Sequence, residues 1–94
     1  MSAPEIGRLA IIGAGLIGSS IARAAREKGL AGTVVVGDGS LTVRRRVCEL
    51  GVADVVAETS AEAADGADIV IACVPVGASA AVAEEIAPAL KPGA

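Results

Sequence analysis

Three short runs of apolar and β-branched residues constrain this 94-residue chain more than any other feature. They are Leu9-Ala10-Ile11-Ile12, Thr33-Val34-Val35-Val36 and Ile69-Val70-Ile71-Ala72-Cys73-Val74. Each is closed by a breaker: Gly13, Gly37 with Asp38, and Pro75. Such runs, with no polar alternation, fit strands buried on both faces, as in parallel sheets covered by helices. Between them the period lengthens. From Leu16, residues Ile17, Ile21 and Ala25 recur every four positions, with Arg23, Arg26 and Glu27 facing away and Gly29 as the stop. Ser40 is placed to cap a second helix, whose stripe is Val43, Val47 and Leu50 and whose end is Gly51. Val52 to Ala57 reads as a weaker strand. Thr59 and Glu62 have capping-box spacing and open a short Ala-rich turn ending near Gly66. Ser79 is placed to cap a last helix carrying Val82, Ile86 and Leu90, which Pro88 kinks or ends because it lacks a backbone donor. Residues 1–7 read as a loosely held lead-in, and Lys91-Pro92-Gly93 as a turn.

The order β-α-β-α-β-α-β-α, with right-handed crossovers, predicts a Rossmann-type α/β fold: a doubly wound parallel sheet of order 3-2-1-4. A whole fold of this kind has about two further strands, so the sheet is expected to be truncated after four, leaving the last without an outer partner. Composition narrows what such a domain does. The sequence contains no His, which removes the imidazole base, His-ligated metals and Ser-His or Cys-His pairs. It contains no aromatic residue on which a nucleic-acid base could stack, and its net charge is −3, so no nucleic-acid partner is expected. Cys48 and Cys73 lack CxxC spacing and read as reduced thiols of a cytoplasmic protein, with no metal. The longest apolar run, Ile69 to Val74, is far short of the roughly 20 residues that span a bilayer, and no membrane association is expected.

Gly13-Ala14-Gly15-Leu16-Ile17-Gly18 has the pattern G-x-G-x-x-G. It follows a buried strand, opens a helix and precedes an acid by about twenty residues, the context of a dinucleotide-binding loop. Gly13 permits the tight turn, Gly15 lets a pyrophosphate approach the backbone, and Gly18 lets helix and strand pack closely. The amides around Leu16 and Ile17 and the helix dipole then face the phosphate charge. The alternative is a Gly-rich turn with no ligand. Asp38 ends the second strand, where a carboxylate accepts from the adenine ribose hydroxyls and opposes a 2′-phosphate, which favours NAD over NADP. Against this stand Ser40 and the run Arg44-Arg45-Arg46, close enough in sequence to include a phosphate clamp, although the run also reads as a solvated helix face. Val74 and Pro75 end the last strand at the reversal of strand order, and so border the nicotinamide side. Cys73 reads as core and Ser79 as a cap, leaving no candidate catalytic residue.

Taken in order, several pieces resemble the N-terminal part of the prephenate/arogenate dehydrogenase family. They are residues 13–20, Lys28-Gly29-Leu30, residues 49–52, residues 66–70, Val74-Pro75-Val76 and residues 87–93. The resemblance runs from about Arg8 to Gly93 and implies that residues 1–94 are an incomplete N-terminal NAD(P)-binding Rossmann domain, without the substrate and catalytic domain. It implies oxidative decarboxylation of prephenate or arogenate in tyrosine biosynthesis, carried out by a homodimeric parent. Family cofactor roles fall on Gly13, Gly15, Leu16, Ile17 and Gly18 for the pyrophosphate and on Asp38 for the ribose, with Val74 and Pro75 near the nicotinamide; Ala14 and Ser40 complete the expected cofactor-binding set. The family's catalytic His and substrate-binding residues lie further along, so the isolated chain is expected to be inactive. The competing readings are a non-catalytic NAD(H)-sensing or interaction module and another Rossmann dehydrogenase.

Overall fold

The computed structural model describes residues 6–13, 15–74, 76–90 and 93, with the side chains at 16 and 76–79 outside that description. Its elements are β1 (Ile6–Ile12), α1 (Leu16–Glu27), β2 (Ala31–Gly37), α2 (Leu41–Leu50), β3 (Val55–Ala57), α3 (Ser60–Ala64), β4 (Ile69–Ala72) and α4 (Val76–Ile86). The four strands form one parallel sheet in the expected order, β3-β2-β1-β4. Alternate residues of each strand feed opposite faces. Leu9, Ile11, Val34 and Val36 meet Ala22 and Ala25 of α1 and Val47 of α2. On the other face Ile12, Val35 and Ala57 meet Ala63 of α3, with Val82 of α4 beside them. That double demand is why the strands carry no polar alternation. Ile11, Val34, Val35, Val36 and Val47 are fully buried, each stabilising the fold by about 1.5–3 kcal/mol.

The stripe on α1 differs from the one the sequence suggests. Gly18, Ala22 and Ala25 are buried, Ile21 is half-buried, and Ile17 is 71% exposed. Small residues win the inner face because α1 lies close against β1. The helix ends as expected, with Gly29 and Leu30 donating back to Arg26 and Ala25. On α2 the Ser40 hydroxyl accepts from the Val43 amide at 3.3 Å, and Gly51 closes the helix on the Val47 and Cys48 carbonyls. Leu50, expected in the buried stripe, is 45% exposed. Thr59 caps α3 through the Glu62 amide at 3.1 Å.

Several boundaries move, among them β2, which adds Ala31, Gly32 and Gly37 to the expected 33–36. β1 begins at Ile6 inside the expected lead-in, since the Ile6 amide donates to the Leu30 carbonyl at 3.1 Å; residues 1–5 lie outside the described residues. β3 keeps only Val55–Ala57 of the expected 52–57, because Val52 is buried beneath the α1–α2 layer before pairing starts. β4 ends at Ala72, although the Cys73 amide still donates to the Ile12 carbonyl at 2.7 Å. Finally, α4 starts at Val76, so Ser79 lies within the helix and is not its N-cap. Pro88 acts as expected: the α-helix stops at Ile86 and a 3-10 turn covers Ala87–Ala89. Ile86 is buried, Val82 is half-buried and Leu90 remains 36% exposed. Lys91 and Pro92 of the expected turn lie outside the described residues. Among the described residues no helix is long and apolar enough to cross a membrane.

Two aspartates start the outer strands in the same way. Asp54 precedes β3 and Asp68 precedes β4, within the matching sequences Ala53-Asp54-Val55-Val56 and Ala67-Asp68-Ile69-Val70. The Asp54 amide donates to the Val34 carbonyl and its carboxylate accepts the Val34 amide, both at 2.8 Å. Asp68 does the same with Arg8, again at 2.8 Å in both directions. Each carboxylate thus replaces one acceptor of the ladder at the amino edge of the sheet. Asp68→Ala is expected to lower unfolding free energy by about 1.5–3 kcal/mol, the usual value of a hydrogen bond to a charged group. Asp54→Ala should behave alike. Arg26→Ala should cost less than about 1 kcal/mol, since its 3.0 Å ion pair with Asp54 is exposed on both sides. Urea unfolding of the three variants measures this, and an unchanged midpoint for Asp68→Ala would show the clip to be idle.

Candidate functional site

The candidate site lies at the opposite, carboxyl edge of the sheet, where the ends of β1, β2 and β4 converge. The Gly13 amide donates to the Gly37 carbonyl at 2.8 Å, fixing the glycine loop beside the residue that precedes Asp38. Gly13 has φ +89°, and a Cβ there would lie 2.6 Å from the Cys73 carbonyl oxygen and 3.2 Å from Val74 Cγ1. No side chain fits. A Cβ on Gly18 would drive into the Gly13 carbonyl oxygen, so α1 sits on β1 at a distance that only glycine allows. Gly15 differs from both. It is the N-cap of α1, with φ −66° and ψ −166°, and its carbonyl accepts the Ser19 amide at 2.9 Å. Among the described residues, a Cβ on Gly15 would meet nothing within 4 Å. Two glycines of the motif therefore serve packing, and the middle one borders open space at a helix N-terminus.

Around that space the structure brings together most of the residues singled out in the sequence. Ile17 projects from the first turn of α1, largely exposed, and Val74 is half-buried against the loop. Ala14, Pro75 and the side chain of Leu16 lie outside the described residues. Asp38 follows β2 directly; its amide donates to the Ala57 carbonyl at 3.1 Å, and Oδ1 accepts the Ser40 amide at 2.9 Å. Ser40 is exposed, and its hydroxyl is the cap of α2. Cys73 packs partly buried against the core, as expected.

Two further residues belong to this edge. A Cβ on Gly37 would lie 2.7 Å from Ala63 Cβ and 3.2 Å from the Thr59 carbonyl oxygen, so the end of β2 is pressed against α3. A glycine immediately before the strand-ending acid was the available signal. Arg44 is not part of a solvated face: it is half-buried, and Nη1 donates to the Asp38 carbonyl at 2.9 Å. Arg45 and Arg46 are exposed, as a solvated face requires. A groove of about 470 Å³ between α2 and the β3 edge is lined by Arg44, Arg45, Cys48, Val56 and Glu58 among others, and another of about 350 Å³ lies between α1 and Leu50. Among the described residues no group of three or more acidic or thiol side chains could hold a metal ion.

A family model described as NADP oxidoreductase, coenzyme F420-dependent, matches residues 8–93. The cyclohexadienyl dehydrogenase of Zymomonas mobilis is 47% identical over 83 residues, which cover 88% of this chain and 28% of that protein. The fold matches that of the A. aeolicus prephenate dehydrogenase, solved with hydroxyphenyl propionate and NAD+, with TM-score 0.86 and 22% identity, over 99% of this chain and 33% of that one. It also matches Synechocystis arogenate dehydrogenase, with TM-score 0.83 and 23% identity, over 93% of this chain and 30% of that one. The chain thus spans a third or less of the length of these relatives. With nearly all of its length matched, the chain belongs to the family described as NADP oxidoreductase, coenzyme F420-dependent.

Proposed function

We propose that this chain is the dinucleotide-binding portion of an NAD(P)-dependent prephenate or arogenate dehydrogenase, with NAD the favoured cofactor. The observation that carries the reading is Gly15: a glycine with open space over its Cα position, at the N-terminus of a twelve-residue helix, between two glycines that packing alone requires. A diphosphate placed there would meet the first-turn amides and the positive end of the helix dipole. Gly13, Ala14, Gly15, Leu16, Ile17 and Gly18 would hold the pyrophosphate. Asp38 and Ser40 lie at the end of the neighbouring strand, where the ribose hydroxyls would be bound, and Val74 and Pro75 would border the nicotinamide. The 47% identity to a cyclohexadienyl dehydrogenase supports the choice of substrate class.

In the whole protein, the nicotinamide ring supplies the hydride acceptor for oxidative decarboxylation. The residues of this chain bind and orient it. Residues 1–94 are then an incomplete N-terminal NAD(P)-binding domain, and the substrate and catalytic portion belongs elsewhere in a cytoplasmic homodimer; the free thiols of Cys48 and Cys73 suit a reducing compartment. The sequence has no imidazole, the side chain most used for general acid–base work, which contributes about 10²–10⁴ in rate. The purified 94-residue chain is therefore expected to bind NAD+ in calorimetry and to show no NAD+ reduction with prephenate or arogenate. Turnover by this chain alone would refute the division of labour, and failure to bind either NAD+ or NADP+ would refute the reading itself.

A further inference from the structure

The sheet separates charge between its two helical layers. On one face, α1 with its C-cap Lys28, and α2, carry six cations and two glutamates. On the other, α3 with its C-cap Asp65, and α4, carry four acids and no cation. The proposed cofactor site lies at the carboxyl edge of the sheet and leaves the outer surfaces of both layers unused.

The match extends to single helices. α2 and α4 have ten and eleven residues. On α2 the residues Thr42, Arg45, Arg46 and Glu49 are exposed and line one outward groove of about 350 Å³. On α4 and the turn after it, Ala81, Glu84, Glu85 and Pro88 are exposed. Both sets have the spacing i, i+3, i+4, i+7, which is one stripe of a helix. Each stripe carries two like charges at its centre, on adjacent residues about 100° apart. In both helices the buried anchor follows that pair directly, Val47 after Arg46 and Ile86 after Glu85, so the two pairs are turned outward in the same phase. Among the described residues none of these four charges makes an ion pair. Glu49 shares the groove with both guanidiniums, which leaves two cations to one acid. It stands at the end of its stripe, so against α4 it meets Ala81 or Pro88, according to helix direction, and neither glutamate.

We propose that the α2 face of one chain docks on the α4 face of a second copy, with Arg45 and Arg46 against Glu84 and Glu85. The occupant is a second copy because the chain itself carries both halves of the contact. The two faces lie on opposite sides of the sheet, so the contact is heterologous and stacks copies head to tail. Complementary charge of this kind governs encounter and register. It weakens as salt shortens the screening length, from about 30 Å at about 0.01 M to about 3 Å at about 1 M.

Sedimentation of the 94-residue chain at those two salt concentrations tests it. The unmutated chain is expected to associate at least about tenfold more tightly at the lower one. Arg45→Glu/Arg46→Glu and Glu84→Lys/Glu85→Lys should each lose this salt-dependent association when alone, because each then presents like charges on both faces. An equimolar mixture of the two should regain it at low salt, since the reversed faces complement one another. All four positions are exposed, and a thermal melt with an unchanged midpoint shows that a variant is folded. Where a reversal unfolds the chain, Arg45→Gln/Arg46→Gln and Glu84→Gln/Glu85→Gln take its place, and each should again lose the salt-dependent part. Pairing through the edge of β4 responds to neither the salt nor the mixing, which distinguishes the two contacts. The proposal is overturned if salt leaves the mass unchanged, or if a folded variant of either face associates as the unmutated chain does. It is also overturned if the mixture of folded reversed variants stays as dispersed as its parts. Loss on changing α2 alone, with α4 indifferent, overturns the second copy as the partner and leaves the basic face to another anion.

Discussion

Gly15→Val is expected to weaken dinucleotide binding by at least about 100-fold, or about 2.7 kcal/mol, while the chain stays folded. The backbone at Gly15 lies in a region open to any residue, and among the described residues a Cβ there touches nothing within 4 Å. The folded state therefore loses only the small advantage of glycine over valine as a helix N-cap, about 1 kcal/mol or less. A bound pyrophosphate, by contrast, has to share that space with two methyl groups. Gly18→Ala should do the reverse damage. Its Cβ is driven into the Gly13 carbonyl, a backbone atom that cannot swing aside, and α1 has to lift from β1. Overpacking of this kind costs about 1–3 kcal/mol, and a rigid backbone neighbour places Gly18 at the upper end. Each kcal/mol lowers Tm by roughly 4–8 °C in a domain of this size, so a drop of more than about 10 °C is expected. Thermal melts and calorimetry on the two variants separate the roles. If Gly15→Val binds NAD+ normally, the glycine loop is only a packing device.

That contrast between Gly15 and Gly18 agrees with the separate jobs expected of the motif's glycines. What spacing could not show is that Gly13 is also hemmed in by the Cys73 carbonyl, sixty residues away in the chain. The sheet order was legible because it follows from local facts: runs with no polar alternation, helices between them, and the handedness of crossovers. The phase of α1 was not. Ile17, Ile21 and Ala25 and the set Gly18, Ala22 and Ala25 are both compatible with one helical face. Hydrophobicity favours the first set, whereas close approach of α1 to β1 selects the smaller residues of the second. Arg44 was hidden for a related reason. Three adjacent arginines look alike in sequence, and only the cap at Ser40 and the buried Val47 decide which of them faces Asp38. The paired aspartates show a third limit. The repeat of Ala-Asp before two β-branched residues could be seen, but a carboxylate standing in for a strand carbonyl is meaningful only once the neighbouring strand is known.

The largest change expected in solution concerns the outer edge of β4. Self-association of the 94-residue chain through this edge should be strong enough to see in sedimentation, with mass rising as concentration rises. Among the described residues β4 pairs only with β1, through Leu9, Ala10, Ile11 and Ile12. Its other side offers backbone groups along Ile69–Ala72, with neither charge nor proline within the strand. The opposite edge is better guarded: β3 has only three residues, and exposed Glu58 follows it directly. Charged residues at an edge oppose pairing with another chain, and their lack invites it. The side chains of β4 make the test selective. Ile69 is 43% exposed, so Ile69→Lys places a charge at the edge with little loss of core contact. Ile71 packs against the Leu9 and Ile11 cluster, and Ile71→Lys buries part of a charged side chain there. Ile69→Lys is expected to yield a monomer whose Tm is nearly unchanged, and Ile71→Lys an unfolded or aggregated chain. A clean monomer of the unmutated chain at high concentration, melting cooperatively above about 60 °C, would show that four strands close this fold without a partner on β4.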